Sequence, residues 1–491
     1  MKRVRLIFLF LGLLPFLKVN AQYAEDALRF SENYYQGTAR SMAVGGAFGA
    51  LGSDVSVLST NPGGLGIYRR NSYSITPEVF TRSTSSLYQN QESQDSRTIF
   101  DLSSFSLISA TYLGSAKKNS LTYFQLGFGL NRTNNFNQER LIQGVNRDNS
   151  RLDAYLANAD GIDYEDIEND YAGQYSYDLT PAWDTYLIDT IPGYRDWYFT
   201  PVPFGGVFQT ERQHAYGSVN EWVMSIAGNF SDKLYVGFTL GMPMLRYYRE
   251  TTYHEYDTGD TIPYFENWSV YESLSTTGVG VNLKVGFVLR PQDWIRIGAA
   301  FHSPTWYGLH DYWYTVHRSD LETFGQYVSS SPDGYFDYHL HTPYRVIGDL
   351  AFIVNKQGFV TLEYEFVDYS KAKFKQSGVN YEQGVNQDIK DFYGGTHNIR
   401  AGLEYRVGSL SLRAGYALYA SPYQKDLNDG KKMMYSGGLG YSTRHFSIDA
   451  AFVYGRKKEN YYLYTSDYGS APATHVQYKD YQAVITLSYR K

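Results

Sequence analysis

The sequence contains no cysteine, only 15 prolines in 491 residues, and no long apolar run after its first twenty residues. Without cysteine there is no disulfide framework, thiol nucleophile or thiolate metal site. Without a stretch of about 20 apolar residues there is no membrane-spanning helix. Basic stripes are missing too, which excludes nucleic acid as the partner. No hydrolase elbow, phosphate loop or paired-histidine helix occurs: His254-Glu255-Tyr256-Asp257-Thr258 comes nearest and lacks the second histidine. His339 and His341 share a strand face, and His310 and His317 flank an aromatic run, but neither spacing is a metal or haem signature. The chain is therefore not expected to be an enzyme, and no cofactor or metal is expected.

What is present is aromatic and finely interleaved. There are 49 Tyr, 28 Phe and 45 Gly, and 17% aromatic content gives far more burial than a disordered chain carries. Yet the mean hydropathy is only -0.42. This combination points to an all-β protein with apolar and polar residues alternating.

Residues 1–21 read as a cleavable secretory signal. Lys2, Arg3 and Arg5 form its basic start, Leu6 to Leu17 its apolar run, and Val19-Asn20-Ala21 its small-residue exit. Cleavage takes four cations and no acid, so 44 basic against 50 acidic residues becomes 40 against 50. Residues 22–70 have helix-like pieces and many small side chains, ending in the turn Asn61-Pro62-Gly63-Gly64.

From residue 71 to 491 the rhythm has period two. Candidate strands fall at 71–82, 103–114, 120–134, 218–230, 234–255, 266–290, 295–316, 336–354, 359–370, 396–407, 410–420, 433–442, 446–464 and 476–490, an even number of fourteen. Short and long connections alternate between them, as in an outer-membrane barrel with short periplasmic turns. Ile399, Ala401, Leu403 and Tyr405 oppose Arg400, Gly402, Glu404 and Arg406. An arginine facing lipid at the midplane costs about 2–4 kcal/mol, so these charges must face a lumen. There Arg400, Arg406 and Arg413 can pair with Glu363, Glu365, Glu404 and Asp449 and brace the interior. Tyr247-Tyr248, Trp294, Trp306-Tyr307, Tyr312-Trp313-Tyr314 and Tyr461-Tyr462 are expected to form interfacial girdles. The last strand carries Ile485, Leu487 and Tyr489 on one face, as a closing strand read by the barrel insertion machinery does.

The longest connection, 135–217, contains two segments of helical spacing, 150–157 and 178–188. Leu152, Tyr155 and Leu156, then Trp183, Tyr186 and Leu187, form their apolar faces. Thr180 before Pro181 is the expected N-cap. Two such helices can cover a greasy groove.

The stretch Gly37-Thr38-Ala39-Arg40-Ser41-Met42, then Gly45 to Ala50, Asp54 and Asn61-Pro62-Gly63-Gly64-Leu65, resembles the N-terminal hatch of the FadL-type outer-membrane transporters of long-chain fatty acids and other hydrophobic compounds. The resemblance implies a 14-stranded antiparallel transmembrane β-barrel in the cell outer membrane, plugged by a helical hatch. It also implies passive uptake of a hydrophobic small molecule and contact with outer-membrane lipid. The implied substrate-binding residues are Leu152, Leu156, Trp183 and Leu187 in the outer groove and Phe48 and Leu51 in a hatch pocket. Lateral exit is implied where the third strand bends, near Gly127 and Gly129. Asn61, Pro62, Gly63 and Gly64 are the hatch turn, with Gly63 where the family usually has alanine. The barrel component of the type IX secretion system has a similar hatch, so a barrel that binds or shuttles secreted cargo is the alternative.

Overall fold

Strict alternation places Val279, Val281, Leu283, Val285, Phe287 and Leu289 on one exposed face of a single strand. That run has the length of the roughly 9–11 residues with which a tilted strand crosses a bilayer. The same rhythm recurs around the molecule, as in Ile399, Leu403 and Tyr405 or Ile485, Leu487 and Tyr489, so the outward side chains form an apolar belt. In hydrocarbon each unpaired backbone group costs several kcal/mol, and closure of the sheet removes the free edges.

The computed structural model describes residues 24–491 apart from 35, 115–119, 203–204, 323, 356, 377, 380, 383, 425–426 and 467. The expected signal segment lies outside the described residues. Fourteen antiparallel strands close into a barrel. They are β1 (Ser72–Tyr88), β2 (Gln91–Tyr112), β3 (Leu121–Asn135, continuing as Gln138–Asn146), β4 (Val207–Phe230), β5 (Leu234–Tyr256), β6 (Asn267–Gln292) and β7 (Ile295–His302, continuing as Trp306–Leu321). Then follow β8 (Gly334–His341, continuing as Arg345–Val354), β9 (Gly358–Asp368), β10 (Gly395–Val407), β11 (Leu410–Tyr419), β12 (Lys432–Ser442), β13 (Phe446–Tyr461) and β14 (Thr474–Arg490). Pairing of β1 with β14, from Ser72 opposite Arg490 to Leu87 opposite His475, closes the cylinder. No helix among the described residues is long and apolar enough to cross a membrane.

The first hairpin is longer than the sequence reading gave. Residues 83–102, expected as a loop, continue the ladder to Tyr88 opposite Gln91. Gln89 and Asn90 both have positive φ, the backbone of a tight hairpin turn. Tyr247, Tyr307 and Tyr461 among the expected girdle aromatics point the other way, Tyr461 onto the buried Arg140 and Glu211. Tyr247 and Tyr307 are buried inside the barrel, because of two neighbours on a strand only one can face lipid.

Two helical pieces of the hatch thread the lumen, together with two short 3₁₀ turns. Helix α1 (Ala24–Ser31) sends Phe30 between Phe136 and Tyr247, with ring centroids 6.1 and 5.8 Å away. It also meets the strand-linking helix Val385–Phe392 in the same aromatic core. Helix α2 (Ala39–Met42) is capped by Thr38, whose hydroxyl accepts from Ser41 N and donates to Asp54. The wall holds the hatch through hydrogen bonds to its backbone: Ala39 N donates to Thr486 Oγ1 at 2.7 Å, and Gly49 N to Glu363 Oε2 at 3.1 Å. At the hatch turn Asn61 Oδ1 accepts from Gly63 N, while its amide donates to Asp349 at 2.9 Å. The glycine at 63 has a plain cause. A Cβ there would lie 2.6 Å from Cα of Phe287, so alanine would push the turn off β6.

The lumen-facing charges pair. Arg400 reaches Glu363 at 2.8 Å and Glu365 at 3.2 Å, and Arg413 joins Glu404 at 2.6 Å to Asp449 at 2.7 Å.

Candidate functional site: an extracellular cap, a plugged lumen and a seam in the wall

The excursion after β3 folds back onto the barrel mouth. Helices α3 (Leu152–Ala159), α4 (Tyr164–Glu168) and α5 (Leu179–Asp184) bury Leu152, Tyr155, Ile167 and Leu187 against Tyr253, Phe265, Trp268 and Val270 of the barrel and its loops. Leu156 and Trp183 pack on the edge of this cluster, Trp183 stacked on Tyr164 at 5.6 Å. Helix α5 begins one residue before the expected cap: Asp178 accepts from Leu179 N at 2.7 Å, and Thr180 instead donates to Ile167 O. Phe48 and Leu51 lie elsewhere, in a hatch cluster against Phe359, with Leu51 on the periplasmic side. The structure thus gathers four of the expected ligand residues at the outer mouth and separates them from the other two.

Two features of the cap were not legible in the sequence. Glu255, fully buried near the end of β5, accepts five hydrogen bonds: from Ser150 Oγ, Arg151 N, Gln209 Nε2, Tyr253 OH and Trp268 Nε1, at 2.5–2.9 Å. It pins the start of α3 to the strands. The second is a titration. Burial pushes the Asp178 carboxyl up to about 6, against the opposing pull of Leu179 N–H and Arg151. Burial raises Asp153 on α3 as well. A carboxyl raised on folding stabilises the cap fully below its unfolded value near 4, and that contribution is lost as pH rises through about 6. Protection of residues 150–190 relative to intrinsic amide exchange should accordingly be greater at pH 4.5 than at pH 7.5, by the equivalent of roughly 2 kcal/mol. Asp178→Asn should remove most of that difference; equal protection at both pH values would contradict the assignment.

Below the cap the wall has a seam. β2 and β3 pair only from Ser104 opposite Asn131 to Tyr112 opposite Tyr123. Beyond Asn131, β3 has β4 as its one ladder partner, and residues 91–103 of β2 have β1 as theirs. Phe100, opposite the belt residue Val79, is 77% exposed, so the seam starts inside the apolar belt. Side chains and the hatch close it. Arg132 binds Glu78 at 2.8 Å and Asp101 at 2.5 Å. Tyr34 N donates to Thr133 O at 2.8 Å and Gln36 N to Arg132 O, giving the bent strand the backbone partners that β2 withholds.

Gly127 and Gly129 lie just below the seam, still paired with β2. On the lipid side, Gly127 lines an apolar groove of about 610 Å³ with Tyr73, Leu107, Phe128 and Ile226. On the lumen side a Cβ at 127 would meet Leu58 and Leu65 of the hatch at 3.1 and 3.3 Å. Only the strand backbone separates groove from hatch there. Among the described residues no group of three or more histidines and carboxylates is placed to hold a metal ion.

Residues 218–490, more than half of the chain, match the family described as outer membrane protein transport protein (OMPP1/FadL/TodX). The chain belongs to this family. A comparison with curated proteins gave no match. Among solved structures it is similar to the Pseudomonas putida toluene transporter TodX, at 14% identity and a TM-score of 0.53 over 94% of this chain and 99% of that one. A Pseudomonas aeruginosa FadL homologue gives 13% identity and 0.55 over 93% and 98%. The CymD monoaromatic hydrocarbon channel gives 14% and 0.51 over 93% and 97%. At these identities the likeness is one of fold. Family and architecture together make the chain an outer-membrane transport barrel with an N-terminal hatch.

Proposed function

We propose that the protein takes up hydrophobic small molecules, long-chain fatty acids or other apolar compounds, passively across the outer membrane. The observation that carries this reading is the seam between β2 and β3, which begins within the lipid belt and is stoppered by the hatch residues Tyr34 and Gln36. A polar solute gains nothing from such a route, whereas an alkyl chain gains about 0.8 kcal/mol per buried CH₂ in an apolar pocket. Capture occurs under the cap, at Leu152, Leu156, Trp183 and Leu187. Ligand then displaces α1, whose Leu28 and Phe30 fill the lumen below. Movement of Tyr34 and Gln36 with it frees the edge of β3, and the ligand leaves sideways into lipid past Gly127. Phe48 and Leu51 hold the lower hatch as it moves.

The test is uptake of radiolabelled oleate and toluene by cells with and without the protein. The wild type is expected to accelerate uptake of at least one. Gly127→Leu, which places a side chain against Leu58 and Leu65, should reduce it at least tenfold while the barrel keeps its heat-modifiable gel migration. Gly129 is the poorer target, because a Cβ there meets Phe105 O at 2.7 Å and strains the ladder itself. Uptake unchanged by Gly127→Leu would refute the lateral route; no acceleration of either compound would refute the hydrophobic cargo.

A further inference from the structure

Throughout the lumen each buried cation faces a carboxylate, as Arg400, Arg413 and Arg132 do. At the periplasmic mouth, where the arginines are half-buried or exposed, that one-to-one pairing stops. Between the lower hatch and the barrel rim lies a cavity of about 530 Å³ lined by seven arginines and one carboxylate, Glu404. Glu404 is already engaged by Arg406 at 2.7 Å, Arg413 at 2.6 Å and Arg40 at 3.5 Å. Arg69 pairs outward with Asp232 at 2.8 Å. That leaves Arg70, Arg296, Arg444 and Arg490 without an acidic partner among the described residues. Arg296 donates to Leu51 O, and its buried Nε has no hydrogen-bond partner.

These four come from the hatch exit, the start of β7, the turn before β13 and the end of β14, so the fold, not a local sequence run, assembles them. The chain as a whole is acidic, at -6. Concentrating cations of one sign in a concave mouth raises the local potential and draws anions there. A guanidinium offers a planar fork of donors that fits phosphate oxygens two at a time. Four uncompensated guanidiniums call for more than the single charge of a carboxylate. Leu51, Ile67 and Phe359 line the same cavity, so an acyl chain beside the phosphate would also find apolar surface.

We propose that this periplasmic cavity binds a phosphate-bearing anion, either a soluble one or the headgroup of a lipid, with Arg70, Arg296, Arg444 and Arg490 as its ligands. The site is independent of the uptake route, since it needs neither the seam nor the cap. The test is calorimetric titration of the full-length protein in a neutral maltoside detergent at 50 mM salt. The probes are inorganic pyrophosphate, lysophosphatidic acid and, as the chain-matched control, lysophosphatidylcholine. Saturable binding of pyrophosphate supports a soluble ligand; binding of lysophosphatidic acid alone, at least tenfold tighter than the control, supports a headgroup. In either case Arg70→Gln/Arg444→Gln/Arg490→Gln should weaken binding at least tenfold, and so should raising the salt. These three side chains make no ion pair in the fold, so heat-modifiable migration should be retained. No saturable binding of either phosphate probe, equal affinity for the control, or unchanged affinity in the triple variant would overturn the proposal.

Discussion

Glu255→Ala should release the extracellular cap while leaving the barrel closed. The carboxylate is fully buried and receives five donors, two of them from the start of the cap itself. Removing it strands Trp268 Nε1 and Tyr253 OH in a dry cluster, whereas Gln209 Nε2 keeps Tyr464 OH, and each unsatisfied buried group costs about 1–3 kcal/mol. Relaxation and entering water recover part of that sum. The expected loss of cap docking is then about 4–5 kcal/mol, the upper end for a single substitution. Hydrogen exchange over residues 150–190 should rise by roughly three orders of magnitude, and trypsin should cut at Arg147 and Arg151. Protection of β10 to β14 should not change, because Glu255 touches none of those strands. Glu255→Gln keeps one acceptor oxygen and should fall between. Cap protection equal to the wild type in Glu255→Ala would show that apolar packing of Leu152, Tyr155 and Leu187 suffices alone.

The barrel was legible in the sequence because lipid imposes a strong rule. Val279 to Leu289 or Ile399 to Tyr405 must alternate, so strand existence and face followed from spacing. That rule lapses where strands rise above the bilayer. Thr81 to Ser86 and Gln91 to Ser96 are polar on both faces, and the hairpin they form was read as a loop. Its turn is Gln-Asn rather than the Asn-Gly that marks such turns most strongly. For Tyr247 and Tyr307 the fault was different: an aromatic pair near a strand end signals an interface only once it is known which member faces out. The hatch turn was readable from Asn61-Pro62-Gly63-Gly64, since an Asn cap before a first-turn Pro is a local device. Phe30, Glu255 and the arginine mouth were not, because each acquires its role from partners on other elements, such as Phe136 for Phe30 and Ser150 for Glu255, more than a hundred positions away. The helical spacing of 150–157 and 178–188 was real, but whether those faces meet each other or the barrel is decided by Glu255, not by periodicity.

Arg132 is the second position at which a large effect is expected. It is almost completely buried, and so is Glu78, whereas its other partner Asp101 is 41% exposed. Arg132→Met should therefore leave Glu78 as a lone buried charge beside Asp101, at a cost of about 3–5 kcal/mol. The loss should appear as a lower temperature for the change in gel migration and as faster exchange of the amides of Tyr34 and Gln36, which bond to the same stretch of β3. Arg132→Met/Glu78→Leu distinguishes a charge effect from simple loss of packing. Replacing a buried ion pair by apolar groups of similar size is often neutral, so the double variant should regain most of the lost stability. Its seam, however, would no longer be tied to Asp101. Such a protein should approach the wild type in stability yet admit hydrophobic compounds faster, since the edge of β3 is then held only by the hatch and by Arg97 with Asn137 and Glu139. If the double variant is no more stable than Arg132→Met, the guanidinium acts through its contact with Asn220 rather than by compensating Glu78, and the seam is held by packing instead of charge.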